Sequence, residues 1–205
     1  EGIALIQGLQ EILGAGVTEF SAGDIILGGD GSDIMKGLAG DDIIDGDKWL
    51  DVQIGVFAPG DTQHTGQPIA LHNSMTTLAA AMFNGSINPG QLAIVRTIRT
   101  DTTAGDVDTA VFQGARGDYT FGATADGQVT VTDVTELNLD GSDRLRNVER
   151  LQFTDGSVGI IVGTEGNNVL NGTTGDDLML GLGGNDVLNG GDGNDILVGG
   201  PSTAG

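Results

Sequence analysis

The residues of this sequence best placed to do chemistry are aspartates that return every nine positions among glycines. In a frame of nine opening at Gly28, position 6 is Asp24, Asp33 and Asp42 toward one end and Asn168, Asp177, Asp186 and Asp195 toward the other. Of the seven full units (19–27, 28–36, 37–45, 163–171, 172–180, 181–189 and 190–198), six have Gly at position 1 and six at position 4. Position 8 is always apolar: Ile26, Met35, Ile44, Leu170, Met179, Leu188 and Leu197. A row of carboxylates among glycines, whose backbone freedom lets carbonyls converge on one point, suits a hard divalent cation. Ca²⁺ takes six or more oxygens from such carboxylates and carbonyls. Lys or Arg could neutralise the row instead, but no basic residue lies within 163–200. A disordered Gly/Asp linker is the bland alternative. It has no reason to keep an apolar residue at every position 8.

The elements that must position these acids follow from the same frame. Positions 1 to 6 are turn chemistry, and positions 7 to 9 make a short strand with one inward apolar residue. A unit with a single buried Ile or Leu cannot stand alone, so units must stack. Composition agrees. The chain has 205 residues, 37 of them Gly, more than twice the usual share of ~7%. Its 29 acidic and 8 basic residues give a net charge of −21, which excludes nucleic acid and anionic membrane surfaces as partners. No apolar run reaches the ~20 residues of a membrane span. There is no cysteine, hence no disulfide, thiolate site or thiol nucleophile. The sequence opens at Glu1 with no basic–apolar leader, and is expected to be a piece of something longer.

The units resemble the nonapeptide G-G-x-G-x-D-x-U-x of repeats-in-toxin (RTX) proteins, a parallel β-helix repeat that binds Ca²⁺. The resemblance implies that two nonapeptides make one coil, so that turns on one side are 18 residues apart, with each ion between two such turns. It implies that Asp177 pairs with Asp195, assisted by the carbonyls of Thr173, Gly175, Gly190 and Asp192. Asn168 pairs with Asp186, assisted by Thr164, Gly166, Gly181 and Gly183. Asp24 pairs with Asp42, assisted by Phe20, Ala22, Gly37 and Ala39. Neutral Asn168 and the Ala22 that replaces a turn glycine should weaken the last two sites. Gly29, Gly31 and Asp33 form half of a further site, whose partner by spacing is Asp51, with Trp49 where position 4 wants Gly.

Residues 48–162 are a different material, with seven of the eight basic residues and nearly all the aromatics. Runs at 109–112, 119–121, 128–132, 148–153 and 158–162, separated by Gly/Asp turns, predict a small antiparallel sheet. Ser74 caps a short helix carrying Leu78, Met82 and Phe83 that stops at Gly85. The run 92–98 reads as a strand and 58–73 as loop. In the opening segment Leu5, Ile6, Leu9, Ile12 and Leu13 have helical spacing. A helix there caps the first coil or docks an upstream domain, the cap being favoured. Gly141-Ser142-Asp143-Arg144-Leu145 repeats positions 4 to 8, as a stray cation turn or, in the favoured reading, an ordinary hairpin turn. His64 and His72 lack the further partners that zinc or haem would need, and read as surface residues. The acid pairs formally admit a glycosidase, but most fall at position 6 or in turns, and no nucleophile elbow or P-loop occurs.

Four strings resemble, in order, the C-terminal RTX region of large bacterial animal-type haem peroxidases: 40–47, 87–90, 108–112 and 147–156. Nothing resembles the haem-binding part. That resemblance implies a secreted, extracellular protein exported by a type I system, with a catalytic domain upstream in the same chain.

The expected fold is mainly β: RTX parallel β-roll blocks at 19–47 and 163–205, an N-terminal capping helix at 1–18, and an inserted mixed α+β domain at 48–162. The expected function is non-catalytic calcium binding by several ions, with folding on Ca²⁺ after secretion. The alternative is an adhesin-type module whose 48–162 insert grips a carbohydrate or protein. Each block alone is short for a stable stack, and the sequence leaves open whether the two stand apart or join into one roll.

Overall fold

The computed structural model describes residues 5–17, 20, 23–124 and 126–200. It is mainly β, with 38% strand against 10% helix. The chain divides into two compact units, one of Phe20–Trp49 with Thr100–Gly205 and the other of Glu1–Glu19 with Leu50–Arg99.

In the first unit the short strands fall where the nonapeptide frame puts them. Strands β1 (Ile25–Leu27), β2 (Ile34–Met35) and β3 (Ile43–Asp45) come from the first block. Strands β13 (Val169–Asn171), β14 (Asp177–Leu180), β15 (Val187–Asn189) and β16 (Ile196–Val198) come from the last. Parallel partners are 18 residues apart: Ile25 with Ile43, Val169 with Val187, Leu178 with Ile196. Between the blocks lie β7 (Thr109–Val111), β8 (Tyr119–Ala123), β9 (Val129–Asp133), β10 (Ser142–Arg146), β11 (Arg150–Phe153) and β12 (Gly156–Val162).

The expected separate antiparallel sheet is not what these strands build. β8, β9 and β10 do run antiparallel, as do β11 and β12. However, β10 also pairs in parallel with β3, giving a five-stranded sheet ordered β1-β3-β10-β9-β8. A six-stranded sheet, β16-β14-β12-β11-β7-β2, carries strands of both repeat blocks with β7, β11 and β12 between them. The two blocks are therefore joined through the middle segment. The cause is edge satisfaction: a block of two stacked strands ends in unpaired N–H and C=O groups, and β10, β7 and β12 cover them. One core backs both sheets, with Met35 and Ile44 from the first block, Leu145, Leu151 and Phe153 from the middle, and Leu178 and Leu180 from the last.

The second unit holds the sheet β5-β4-β6, of β4 (Lys48–Val56), β5 (Ala70–His72) and β6 (Leu92–Thr100). The expected helix after Ser74 is a 3-10 turn followed by α2 (Ala79–Phe83), with Ser74 Oγ accepting from the Thr76 amide. Of the helix expected over 1–18, the described residues 5–17 hold α1 (Leu9–Leu13), which buries Ile12 and Leu13, while 1–4 and 18 lie outside the described residues. The segment before the helix bridges Gln7 to Thr97 of β6, so α1 belongs to this unit where a cap on the first coil was expected. The expected single insert 48–162 thus splits. Residues 50–99 go with α1, and 100–162 with the repeats. No helix among the described residues is long and apolar enough to cross a membrane.

Candidate metal centres

Position-6 residues form ladders from one turn to the next. The backbone N–H of each donates to the carboxylate of the residue stacked on it. Asn168 donates to Asp186 Oδ1 at 2.9 Å and Asp177 to Asp195 Oδ1 at 3.1 Å. Asp24 donates to Asp42 Oδ1 at 2.6 Å. These are the pairs expected at 18-residue spacing.

The first block continues the ladders with residues far away in sequence. Asp42 donates to Asp143 Oδ1 at 2.8 Å, and Asp33 to Asp108 Oδ1 at 2.7 Å. Asp108 in turn donates to Glu149 Oε2 at 2.8 Å. Asp108 and Glu149 directly precede β7 and β11 as position 6 precedes its strand, Asp143 is the second residue of β10, and Ala110, Leu145 and Leu151 fill position 8 in the core. The stretch 141–145 both opens a hairpin strand and supplies the next acid of the ladder. Asp51, the partner expected for Asp33, instead meets Arg99 at 3.2 Å. Only Asp143 carried a repeat-like signal in the sequence, Gly141–Leu145. Asp108 and Glu149 lay in strings that resemble the RTX region of haem peroxidases, but nothing in their spacing tied them to the nonapeptide frame.

Position-1 glycines serve close approach. A Cβ on Gly37, Gly181 or Gly190 would overlap Oδ2 of Asp42, Asp186 or Asp195, the acid of its own turn. Positions 2 and 4 carry the left-handed backbone, at Gly29 and Gly31 and at Gly191 and Gly193. Leu38 (φ 72°) and Leu182 (φ 66°) accept that conformation without being glycine. In the two turns with Thr at position 2, a side chain replaces this geometry. Thr173 donates its amide to Asp177 Oδ2 at 2.6 Å, and Thr164 donates its amide to Asn168 Oδ1 at 2.6 Å.

The remaining carboxylate oxygens test whether a cation fits. Oδ2 of Asp33, Asp42, Asp108 and Asp186 is buried with no hydrogen-bond partner among the described residues. A buried, unpartnered carboxylate oxygen is costly unless a charge meets it. Burial, and then the charges of neighbouring acids, pushes the Asp143 carboxyl up to about 8. Burial raises Asp42 and Asp108 as well. Among the described residues no three or more His, Cys, Asp or Glu side chains gather as a metal group. A cation between two stacked carboxylates would need turn carbonyls to complete its shell. Phe20, Ala39, Gly166, Gly175, Gly183 and Asp192 lie in these turns; Ala22 lies outside the described residues. The set fits calcium, which takes carboxylate and carbonyl oxygens in flexible number.

The histidines are elsewhere. His64 Nε2 lies 3.0 Å from Gly90 O with its ring against Phe57, and His72 Nδ1 lies 2.9 Å from Thr77 Oγ1.

No curated protein matches this chain. The family model of the RTX calcium-binding nonapeptide repeat matches in four copies, over residues 20–48 and 162–197. These are the stretches whose turns carry the stacked acids, and with that match they are identified as RTX calcium-binding repeats.

Proposed function

We propose that this chain is a non-catalytic calcium-binding module of a secreted protein, in which both repeat blocks form parallel β-rolls that fold when Ca²⁺ binds. The observation that carries the reading is the buried Oδ2 on Asp33, Asp42, Asp108 and Asp186, unpartnered among the described residues, in a chain of net charge −21. Without a cation these stacked acids oppose folding, so binding free energy becomes folding free energy. Extracellular calcium modules bind at about 10⁻⁴–10⁻³ M. Each site filled at about ten times its Kd then adds roughly 1.4 kcal/mol, and a few such sites decide a marginal fold. In a calcium-poor cytosol the chain stays unfolded and can pass a type I export channel; outside it folds. The peroxidase-like strings suggest an upstream catalytic domain. The test is a calcium titration of the chelated chain followed by circular dichroism, with Mg²⁺ as control. Cooperative gain of β-structure with calcium supports the reading, and full structure in excess chelator sinks it.

An adhesin-type role is the second reading. The observation in its favour is an open groove of about 530 Å³ in the second unit, lined by Phe57, His64, Pro68, Ile94 and Arg96. Glycan arrays probed with the calcium-loaded chain test it. Binding lost in Arg96→Ala would move function to that groove.

A further inference from the structure

One repeat turn is split. Gly46 stacks on Gly28 as the opening residue of the next turn, accepting from the Gly29 amide at 2.8 Å. Two residues later, at Lys48, β4 begins, and the chain returns only at the end of β6, Thr100. The two passages are tied together: the Asp101 amide donates to Asp47 O at 2.7 Å, and Lys48 Nζ donates to Thr100 Oγ1 at 3.1 Å. The turn is then completed by Asp108. A Cβ on Gly46 would overlap Asp108 Oδ2, the relation Gly37 has to Asp42 inside an unbroken repeat. Asp108 is 0% exposed and its Oδ2 has no partner among the described residues. The same holds for the buried Oδ2 of Asp33 on the turn beneath and of Asp106 beside it. Asp33 and Asp108 are 75 residues apart, and the family match ends at residue 48, short of Asp108.

We propose a calcium site at this seam, held by the carboxylates of Asp33 and Asp108 and the carbonyls of Gly29 and Gly31. Filling it locks residues 46–48 to 100–108, and so makes the entry and exit of the 50–99 segment calcium-dependent. The proposal rests on calcium being the ligand of the repeats. It goes further in assigning an ion to a turn assembled from two distant pieces of chain.

Trp49 supplies a selective reporter. It is the only tryptophan, and its Cβ lies 3.6 Å from where a Cβ on Gly29 would stand. Tb³⁺ replaces Ca²⁺ at oxygen sites and emits when a nearby tryptophan is excited. The full chain should show Tb³⁺ emission on Trp excitation, displaced by Ca²⁺. In Asp108→Asn, which keeps an oxygen to accept from the Asp33 amide, binding behind that signal should weaken about tenfold or more. Equilibrium dialysis should then count one Ca²⁺ fewer. Unchanged emission and an unchanged count would overturn the seam site while leaving the repeats as calcium binders. No bound calcium in the parent chain would overturn both. Should Asp108→Asn not fold, hydrogen exchange on the parent chain decides. Segments 28–33, 46–48 and 100–108 should gain protection at one calcium midpoint, and calcium-independent protection of 100–108 would overturn the site.

Discussion

The two repeat blocks solve the same stacking problem by different means. In the C-terminal block the position-6 residues stack on the next unit but one, 18 residues on, and threonine amides and hydroxyls donate to the side-chain oxygens of Asn168 and Asp177. In the first block Asp24 stacks on Asp42, 18 residues on, but Asp33 and Asp42 stack on residues 75 and 101 positions away. Asp42 is 1% exposed and Asp143 3% exposed. Closing a loop of about 100 residues rather than 18 costs only about 1.5 kcal/mol more in chain entropy. Burying an unpaired carboxylate costs several times that. The contrast teaches that contiguity is the cheaper part of a repeat; the electrostatic load of its buried acids is what a cation must answer. The first block should therefore be the more calcium-dependent of the two.

Removing calcium should have the largest effect. In chelator the repeat-bearing unit is expected to lose most of its strand signal in far-ultraviolet circular dichroism. Hydrogen exchange should find 24–45 and 108–146 opening before 169–198. Simultaneous opening, or the reverse order, would break the comparison.

Single acids come next. Asp42→Ala removes the acceptor of the Asp24 amide and a buried ligand, and should cost about 2–4 kcal/mol in saturating calcium. Asp195→Ala, on a partly exposed turn, should cost about 1–2 kcal/mol, and Asn168→Ala less again because it carries no charge. Calcium-dependent thermal midpoints of the three variants check the order, and equal shifts would remove the distinction between the blocks.

Acidity sharpens the same contrast. In the folded unit Asp143 holds its proton up to about pH 8, against an ordinary value of 3.8. Between those values the folded chain binds a proton that the unfolded chain releases. Its stabilising contribution is full below the ordinary value and is lost as pH rises through about 8. The calcium-free chain should therefore be more structured near pH 5 than near pH 9, and calcium affinity should fall on acidification as protons compete. Asp143→Asn should flatten both dependences, in calorimetry across that range.

The smallest effect is conformational. Leu38 is 53% exposed with φ 72°, so Leu38→Gly should relieve strain and stabilise by about 0.5–1 kcal/mol. Leu182 has φ 66° but packs against the core. Leu182→Gly should lose about as much in burial as it gains in backbone freedom, or more. Urea midpoints of the two variants should move in different directions.

The resemblance to RTX repeats supplied the 18-residue register. The nine-residue frame alone determined the short strands at positions 7 to 9 and an apolar position 8, buried at Met35, Ile44 and Met179 though 49% exposed at Leu197, and it pointed to an oxygen-loving cation. Each is a local consequence of spacing: glycine where backbones approach, one apolar residue where a strand turns inward, an acid where turns stack. What only the tertiary structure decided is where the pattern stops being periodic. Asp33 meets Asp108 rather than Asp51, which pairs with Arg99. Asp42 meets Asp143, although the strand at 142–146 read as an ordinary hairpin. Residues 100–162 join the two blocks through shared sheets, and α1 sits with 50–99. These pairings have no period because no local rule selects them. They are chosen by strand edges that must be covered and by a core that one nonapeptide block is too small to fill.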